Sequence, residues 1–369
     1  MGYKAISKFF GYIAITLTLI LCVFTILANM VDSFPPDEHF FINVLAFGLP
    51  ILLIIDFITF IYWCIFRWKI AIFPLIGILY SIPYLNRTYQ FRSEQEIITT
   101  SPDDDLLTIA TYNMSGDHFN PKKMAFVATL FSELQADILC LEEYSPPANK
   151  EDSTCLQISF KEWPYRFAQI QPEYLPIIIF SKYPITNPHK ISFLPEKNNF
   201  IYCDLMLPQT PIRLFATHLQ TTSFNGEKAN IEKTMDPSNA ASDAAKEQVV
   251  NNAIIHFKNN FIYRQQQADS LHTLVKQTKE ENIPIIICGD FNSMASEYPY
   301  KKLISTGLKD GFVEYGSHIG NTYRYFKQLI RIDYILYTND LEAVSYRTFN
   351  WKMSDHKPIV MQFKQPQKD

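Results

Sequence analysis

Glycine is scarce in this chain, at 11 of 369 residues, which excludes a collagen-like repeat. Six cysteines whose spacing fits no zinc site and no paired framework exclude a disulfide-dense miniprotein. Positive charge is not in excess either. The 33 Lys and Arg stand against 37 Asp and Glu, so no strongly basic domain announces a nucleic-acid partner. With 47% hydrophobic residues the chain is not disordered. The most informative shortage is local: residues 1–86 hold only Lys4, Lys8, Arg67 and Lys69 against Asp32, Asp37, Glu38 and Asp56.

Three apolar stretches fill that region. Residues 9–30 carry no charge, residues 41–66 are interrupted only by Asp56, and residues 70–85 contain Pro74 and Pro83. Crossing a bilayer takes roughly 20 apolar residues, so the first two suffice and the third just reaches across. The first run is longer than the ~7–15 residues of a signal-peptide core, and a second run follows directly. The expectation is a retained anchor of three transmembrane helices at 9–30, 41–66 and 70–85, with 87–105 as a linker. Lys4 and Lys8 before the first span, and Arg67 and Lys69 after the second, put those ends in the cytoplasm. The Pro35-Pro36 loop and everything after the third span then lie outside, in a multi-pass protein of the cytoplasmic (inner) membrane. Arg87 and Arg92 pull the other way. Asp56, an acid within a span, is costly in lipid and reads as a packing contact with a neighbouring helix or as a functional group.

From residue 106 the pattern changes to short apolar runs bounded by Pro, Asn, Asp and Gly. Strands are expected at 107–112, 138–141, 177–181, 201–207, 213–217, 284–288, 332–337 and 359–363. Helices are expected at 121–134, with Asn120 as cap and Pro121 in the first turn, and at about 246–279. In the latter, Ala253, Phe257, Phe261, Ala268, Leu271 and Val275 form one apolar stripe that reads as ordinary core. Cys140 and Cys288 sit in strand-like runs as small hydrophobes, whereas Cys155 and Cys203 pair only if the fold brings them close. Lys122-Lys123, Lys301-Lys302 and the Arg324 to Arg331 stretch read as solvated faces.

Polar residues cluster at the ends of these strands. Asn113 follows TIATY, Glu142 and Glu143 follow ILCL, His218 follows RLFAT, and Asp290 and Asn292 follow IIICG. Asp333 lies within RIDYIL, and Asp355-His356 precedes PIVM after one Lys. Singly, Asn113 reads as a turn residue, His218 as a core histidine and Asp355-His356 as a turn before a strand. Carboxylates beside a core need ionised partners or a metal. Several on one rim make an oxygen-rich site suited to Mg²⁺ or Mn²⁺ rather than zinc.

The ordered set IATYN (109–113), ADILCLEE (136–143), IIFSKYPI (178–185), FATHL (215–219), RQQQADSL (264–271), CGDFNS (288–293), RIDYIL (331–336) and SDHKP (354–358) resembles the endonuclease/exonuclease/phosphatase superfamily. These metal-dependent phosphoesterases include pancreatic deoxyribonuclease, abasic-site endonucleases, neutral sphingomyelinases and inositol polyphosphate phosphatases. Two departures stand out: Glu142 occupies a position where the family commonly has Gln, and Ser293-Met294-Ala295-Ser296 replaces its usual Pro-rich stretch. The resemblance implies an α+β fold over 106–365, a four-layer α/β/β/α sandwich of two mixed sheets. It implies that Glu143 binds the metal with Asn113 and Asp355, and that Asp290 positions or deprotonates the attacking water. Asn292 would hold a phosphate oxygen, His356 paired with Asp333 would stabilise phosphoryl charge, and His218 would bind phosphate or assist the leaving oxygen. The expected activity is metal-assisted hydrolysis of a phosphoester, phosphodiester or pyrophosphate. The anchor points to a lipid-linked substrate at the membrane, since tethering raises its effective concentration. Three spans before an outward catalytic domain look like bacterial membrane phosphatases of the superfamily. In residues 221–260, Val249, Val250, Ile254 and Ile255 read as core packing, a lid or a lipid-facing patch. A tethered Mg²⁺-dependent nuclease is the alternative. An inactive binding module is disfavoured because every site position is filled.

Overall fold

The computed structural model describes residues 2–93, 106–116, 118–222, 231–234, 242–325 and 329–365, with side chains of residues 2–7 and 243 left aside. Most of the expected linker, residues 94–105, and much of the 221–260 segment lie outside them, as do residues 326–328 of the Arg324 to Arg331 stretch.

The N-terminal region is helical. Helix Gly2–Asn29 is followed by Phe40–Phe47, Leu49–Phe66, Ile72–Tyr80 and Ile82–Thr88. Two of these, over Lys8–Asn29 and Leu49–Phe66, are long and apolar enough to cross a membrane by length and composition. The expected second span divides at Gly48, where Pro50 opens a new helix. The third divides at Ser81, just before Pro83; proline lacks the N–H that helix continuation requires. One face of the first helix is a ladder of polar links. Thr18 accepts from Trp63 Nε1 at 2.8 Å, Thr25 donates to Asp56 Oδ2 at 2.6 Å, and Asn29 donates to Ser81 at 2.7 Å. Asp56 is fully buried, and a Cβ on Gly77 would come 3.0 Å from its carboxylate, so glycine permits the close approach.

The C-terminal region is built on two six-stranded sheets. The first runs Lys309–Asp310, Asp333–Tyr337, Ile285–Asp290, Pro211–His218, Asn199–Met206, Ile185–Ser192. The second runs Ala343–Thr348, Ile359–Lys364, Leu106–Asn113, Ile138–Glu142, Ile177–Ser181, Tyr165–Gln169. Each is mixed: Pro211–His218 is parallel to Ile285–Asp290, and Leu106–Asn113 to Ile138–Glu142, with antiparallel neighbours elsewhere. Alternation along the strands makes the layers. Ile286 and Cys288 face the core between the sheets with Ile109, Ile138 and Cys140. Ile285 and Ile287 face outward, to Leu271 and Val275 of the long helix Asp243–Glu280. On the other side Leu139 and Leu141 meet Val127, Ala128 and Phe131 of helix Pro121–Glu133, which Asn120 caps by accepting from Lys123 N at 3.0 Å. The four-layer sandwich is as expected. The six cysteines are free, and Cys203 is buried between the sheets while Cys155 sits on helix Lys150–Ser159.

Eight strands match the sequence pattern, and three longer ones escaped it: Tyr165–Gln169, Ile185–Ser192 and Ala343–Thr348. All three are sheet edges. Ile185–Ser192 is largely exposed, carries Pro188 and has an irregular register between Thr186 and His189. Edge strands tolerate proline and need no apolar alternation.

The two regions are packed together. Tyr89–Gln90 pairs antiparallel with His318–Ile319, so the expected linker begins as a strand. Arg331 donates to the Arg87 carbonyl at 2.9 Å while its guanidinium holds Asp310 at 2.7 and 3.0 Å. Asp37 N donates to Gln265 at 2.9 Å. The apolar stripe of the long helix splits between partners: Leu271 and Val275 enter the sandwich core, but Phe257 and Phe261 pack edge-to-face on Phe40 and Phe47. Ile254 and Ile255 are exposed, which corrects their reading as core. Lys301 and Arg331, read as solvated, are buried or nearly so.

Candidate active site

The paired strand ends gather the polar residues. Register places Asn113 beside Glu142 in one sheet, and both His218 and Asp333 beside Asp290 in the other. Asn113 then bridges the sheets, donating to Asp290 Oδ2 at 3.0 Å and to Glu143 Oε1 at 3.2 Å. Gly289, at φ +125°, is required here because a Cβ would fall 2.1 Å from the Thr217 carbonyl. Glu143 and Asn292 adopt positive φ of 48° and 47°, turning their side chains out of the strand direction. Such left-handed non-glycine residues are sparse and concentrate at functional sites.

Asp290 is the hub. Its Oδ1 accepts from Asn292 N at 2.7 Å and its Oδ2 from Asn292 Nδ2 at 3.2 Å. His218 Nε2 lies 3.2 Å from Glu143 Oε1 and 3.7 Å from Asp290 Oδ2. His356 Nε2 is 3.8 Å from Asp290, while its Nδ1 is 3.0 Å from Asp333. Burial pushes the Asp290 carboxyl up, to about 8, the nearby Asp333 and Glu143 charges adding to the effect and His356 opposing it. Burial would lower His356, but the carboxylates of Asp333 and Asp290 outweigh it and carry the imidazole to about 10. Burial lowers His218 instead, and its Nδ1 has no hydrogen-bond partner. The two histidines therefore differ: one cationic, one neutral at neutral pH.

Seven of the eight expected residues meet in this pocket. Asp355 lies beside it, half-buried, its carboxylate bonded to Ser354 Oγ at 3.4 Å. The donor set fits a divalent cation. Glu143, Asp290 and Asp333 crowd one rim, with Asp355 beside it and His356 as their counter-charge, and oxygen-rich anionic clusters suit hard cations. Ligand atoms of Asp290, Asp333 and His356 also lie within 4.8 Å of one another. In that trio, however, His356 Nδ1 is committed to Asp333, whereas Glu143 is the part-exposed carboxylate that faces the cleft.

Glu142 is fully buried, accepts from Thr111 at 2.8 Å and leaves Oε2 without a partner. Burial raises its carboxyl well above the usual range, the Thr111 hydrogen bond opposing it. Sequence reasoning gave no role to several supporting residues. Ser354 donates to the Asn113 carbonyl at 2.7 Å and accepts from His356 N at 3.1 Å, linking the two strand ends. Buried Arg264 holds the carbonyls of Gln220 and Asn292 and pairs with Glu297 at 3.4 Å. The Tyr323 ring lies 4.9 Å from His356, and Thr322 accepts from Asp333 N at 3.1 Å. Arg264 and Ser354 lay inside the motifs; Tyr323 carried no local signal.

A model of the Endonuclease/Exonuclease/phosphatase family matches residues 110–356, and a model of a domain of unknown function matches residues 7–88. Two solved structures of TDP2 from Caenorhabditis elegans are similar in fold. One, truncated, is 16% identical, covers 70% of this chain and 98% of its own, and has TM-score 0.50; the other is 16% identical over 71% and 76%, also at 0.50. The human Nocturnin catalytic domain is 17% identical over 70% and 94%, at 0.47. None of the curated proteins matches the chain. With the matched segment reaching from the strand that ends in Asn113 to His356, the chain belongs to the Endonuclease/Exonuclease/phosphatase family of hydrolytic phosphoesterases and nucleases, whose members use divalent metals.

Proposed function

We propose that the protein is a membrane-anchored, Mg²⁺- or Mn²⁺-dependent phosphoesterase that hydrolyses a phosphoester, phosphodiester or pyrophosphate in a lipid-linked substrate. The observation that carries this reading is the direct packing of the hydrolytic sandwich on the apolar helices. Strand pairing at Tyr89–Gln90, the Arg331 link to Arg87 and the cluster of Phe40, Phe47, Phe257 and Phe261 hold the site at a fixed place relative to the bundle.

Glu143, with Asn113 and Asp355, would hold the cation, which when bound neutralises non-bridging phosphate oxygens. Asp290, raised by burial, accepts the proton of the water that attacks phosphorus. Asn292 exchanges its bond to Asp290 for a phosphate oxygen. His356, kept cationic by Asp333, faces the charge that develops on the phosphoryl group, and His218 assists the leaving oxygen.

Contacts at the two ends of the bundle support an extracytoplasmic catalytic domain. Gly11 lies beside Arg67, so Lys8, Arg67 and Lys69 share one end. Asp32, Asp37 and the sandwich share the other, and the positive end belongs inside. Residues 72–88 return the chain from the first end to the second, ~25 Å at 1.5 Å per residue. Two basic residues that would grip a nucleic-acid backbone are engaged internally: Arg331 with Asp310, and Arg324 with Ser354 and Asn350.

The test is the full-length protein in liposomes, assayed by thin-layer chromatography for phosphate release from lipid-linked pyrophosphates and phospholipids, with Asp290→Ala as control. Release dependent on Mg²⁺ or Mn²⁺ is expected. No activity on any lipid, with metal-dependent nicking of plasmid DNA, would replace this reading by a tethered nuclease. A topology reporter fused after residue 93 is expected to report outside the cytoplasm.

A further inference from the structure

A cleft of about 620 Å³ lies where the helical bundle meets the sandwich, lined by none of the candidate-site residues. Its walls change character along its length. Leu79, Tyr80 and Pro83 come from the apolar helices, with Leu79 and Tyr80 about half exposed. Arg87, Lys301 and Asp32 form the other end. This is the order of groups met on leaving a bilayer: acyl layer first, headgroup layer next.

The charged end is not balanced. Lys301 has a side chain only 11% exposed, bonded to the Asn29 carbonyl and 3.7 Å from Asp32, which is itself mostly in solvent. Arg87 stacks on Tyr300 at 5.6 Å and has no carboxylate partner among the described residues. Two cations thus share one exposed anion. Burial and the like charge of Arg87 push the Lys301 amine down to about 8, Asp32 offsetting part of this. An added anion between the cations would relieve both the repulsion and the desolvation.

We infer that this cleft binds the phosphate headgroup of an anionic glycerophospholipid between Arg87 and Lys301, with its acyl chains along Leu79, Tyr80 and Pro83. The bound lipid fastens the catalytic domain to the bundle at a place separate from the hydrolytic pocket. The inference rests on the bundle lying in a bilayer but not on any substrate, and its readout is lipid retention rather than hydrolysis.

The experiment is native mass spectrometry of the full-length protein in detergent, titrated with phosphatidylglycerol, with phosphatidylcholine, and with inorganic phosphate as competitor. One phosphatidylglycerol is expected to bind tightly, phosphatidylcholine at least tenfold more weakly, and millimolar phosphate should not displace the lipid. Arg87→Gln with Lys301→Gln should weaken phosphatidylglycerol about twenty-five-fold, from roughly fivefold per cation removed. Hydrolysis of a water-soluble phosphodiester should be unchanged. Unaltered lipid binding by the variant, equal affinity for the zwitterionic lipid, or displacement by phosphate alone would each overturn the inference. If the double variant does not fold, Arg87→Gln alone carries the test, with a fivefold loss expected. Recovery of the full chain in the soluble fraction without detergent would overturn the membrane reading and this inference together.

Discussion

Each of the two regions buries an aspartate completely, and the two residues do different things. In the helical bundle Asp56 meets one donor, Thr25, and leaves Oδ1 without a partner. In the sandwich Asp290 is met by Asn113 and Asn292 and approached by two histidines. Burial alone does not make a site. The bundle's polar groups, Thr18, Thr25 and Asn29, are spaced as packing links along one face of Gly2–Asn29. The sandwich brings the ends of paired strands together, so that residues far apart in sequence deliver their polar groups to one rim. The difference lies in the geometry of delivery.

The comparison breaks most decisively at its centre. Asp290→Ala should lower kcat on any phosphoester by about 10⁴-fold, the upper range for a general base, with folding retained by circular dichroism. An active Asp290→Ala protein would leave Asp290 as a packing residue like Asp56. Next is the clamp that joins the two regions. Arg331→Ala strands the buried Asp310 carboxylate and frees the Arg87 carbonyl, so denaturant unfolding should show a loss of about 3–5 kcal/mol.

A smaller, more diagnostic effect follows from Asp333→Asn. Asp333 is the largest of the carboxylates that raise His356 to about 10, so the wild-type rate should fall on the alkaline side near that pH. In the variant that limb should move down toward the ordinary histidine range, with kcat at pH 8 reduced on the order of 10-fold. The stability sign agrees. The folded state raises this histidine above its free value of 6.5, so its contribution is complete below pH 6.5 and is lost as pH rises through 10. An unchanged alkaline limb would remove His356 from its proposed role. The smallest effect belongs to Asp56→Asn. The amide keeps a partner for Thr25, so stability should change by less than ~1 kcal/mol and hydrolysis of a soluble substrate should stay within twofold. A large loss of activity would make the bundle part of the catalytic apparatus.

The eight strands read from apolar runs are interior ones such as Ile285–Asp290, buried on both faces, where hydrophobicity must be continuous. Ile185–Ser192 was illegible because an edge strand needs neither alternation nor the absence of proline. In the site, Asp290 and Asn292 were visible because they end an apolar run. Tyr323 was not, because it reaches His356 from a segment with no strand signal of its own. The stripe from Ala253 to Val275 was visible as apolar but not as divided between two partners.

Local pattern was enough to reveal the scarcity of charge in the first 86 residues, the strand-end polar residues and their order, because hydrophobic runs and the motifs between them are local. The folded arrangement settles that Asn113 bridges two sheets, that Glu142 is fully buried, that the pKa values of His218 and His356 shift in opposite directions, and that Phe257 and Phe261 belong to the contact with the bundle. Those outcomes depend on distances between elements far apart in the chain, and on the burial such contacts create, which no local pattern encodes.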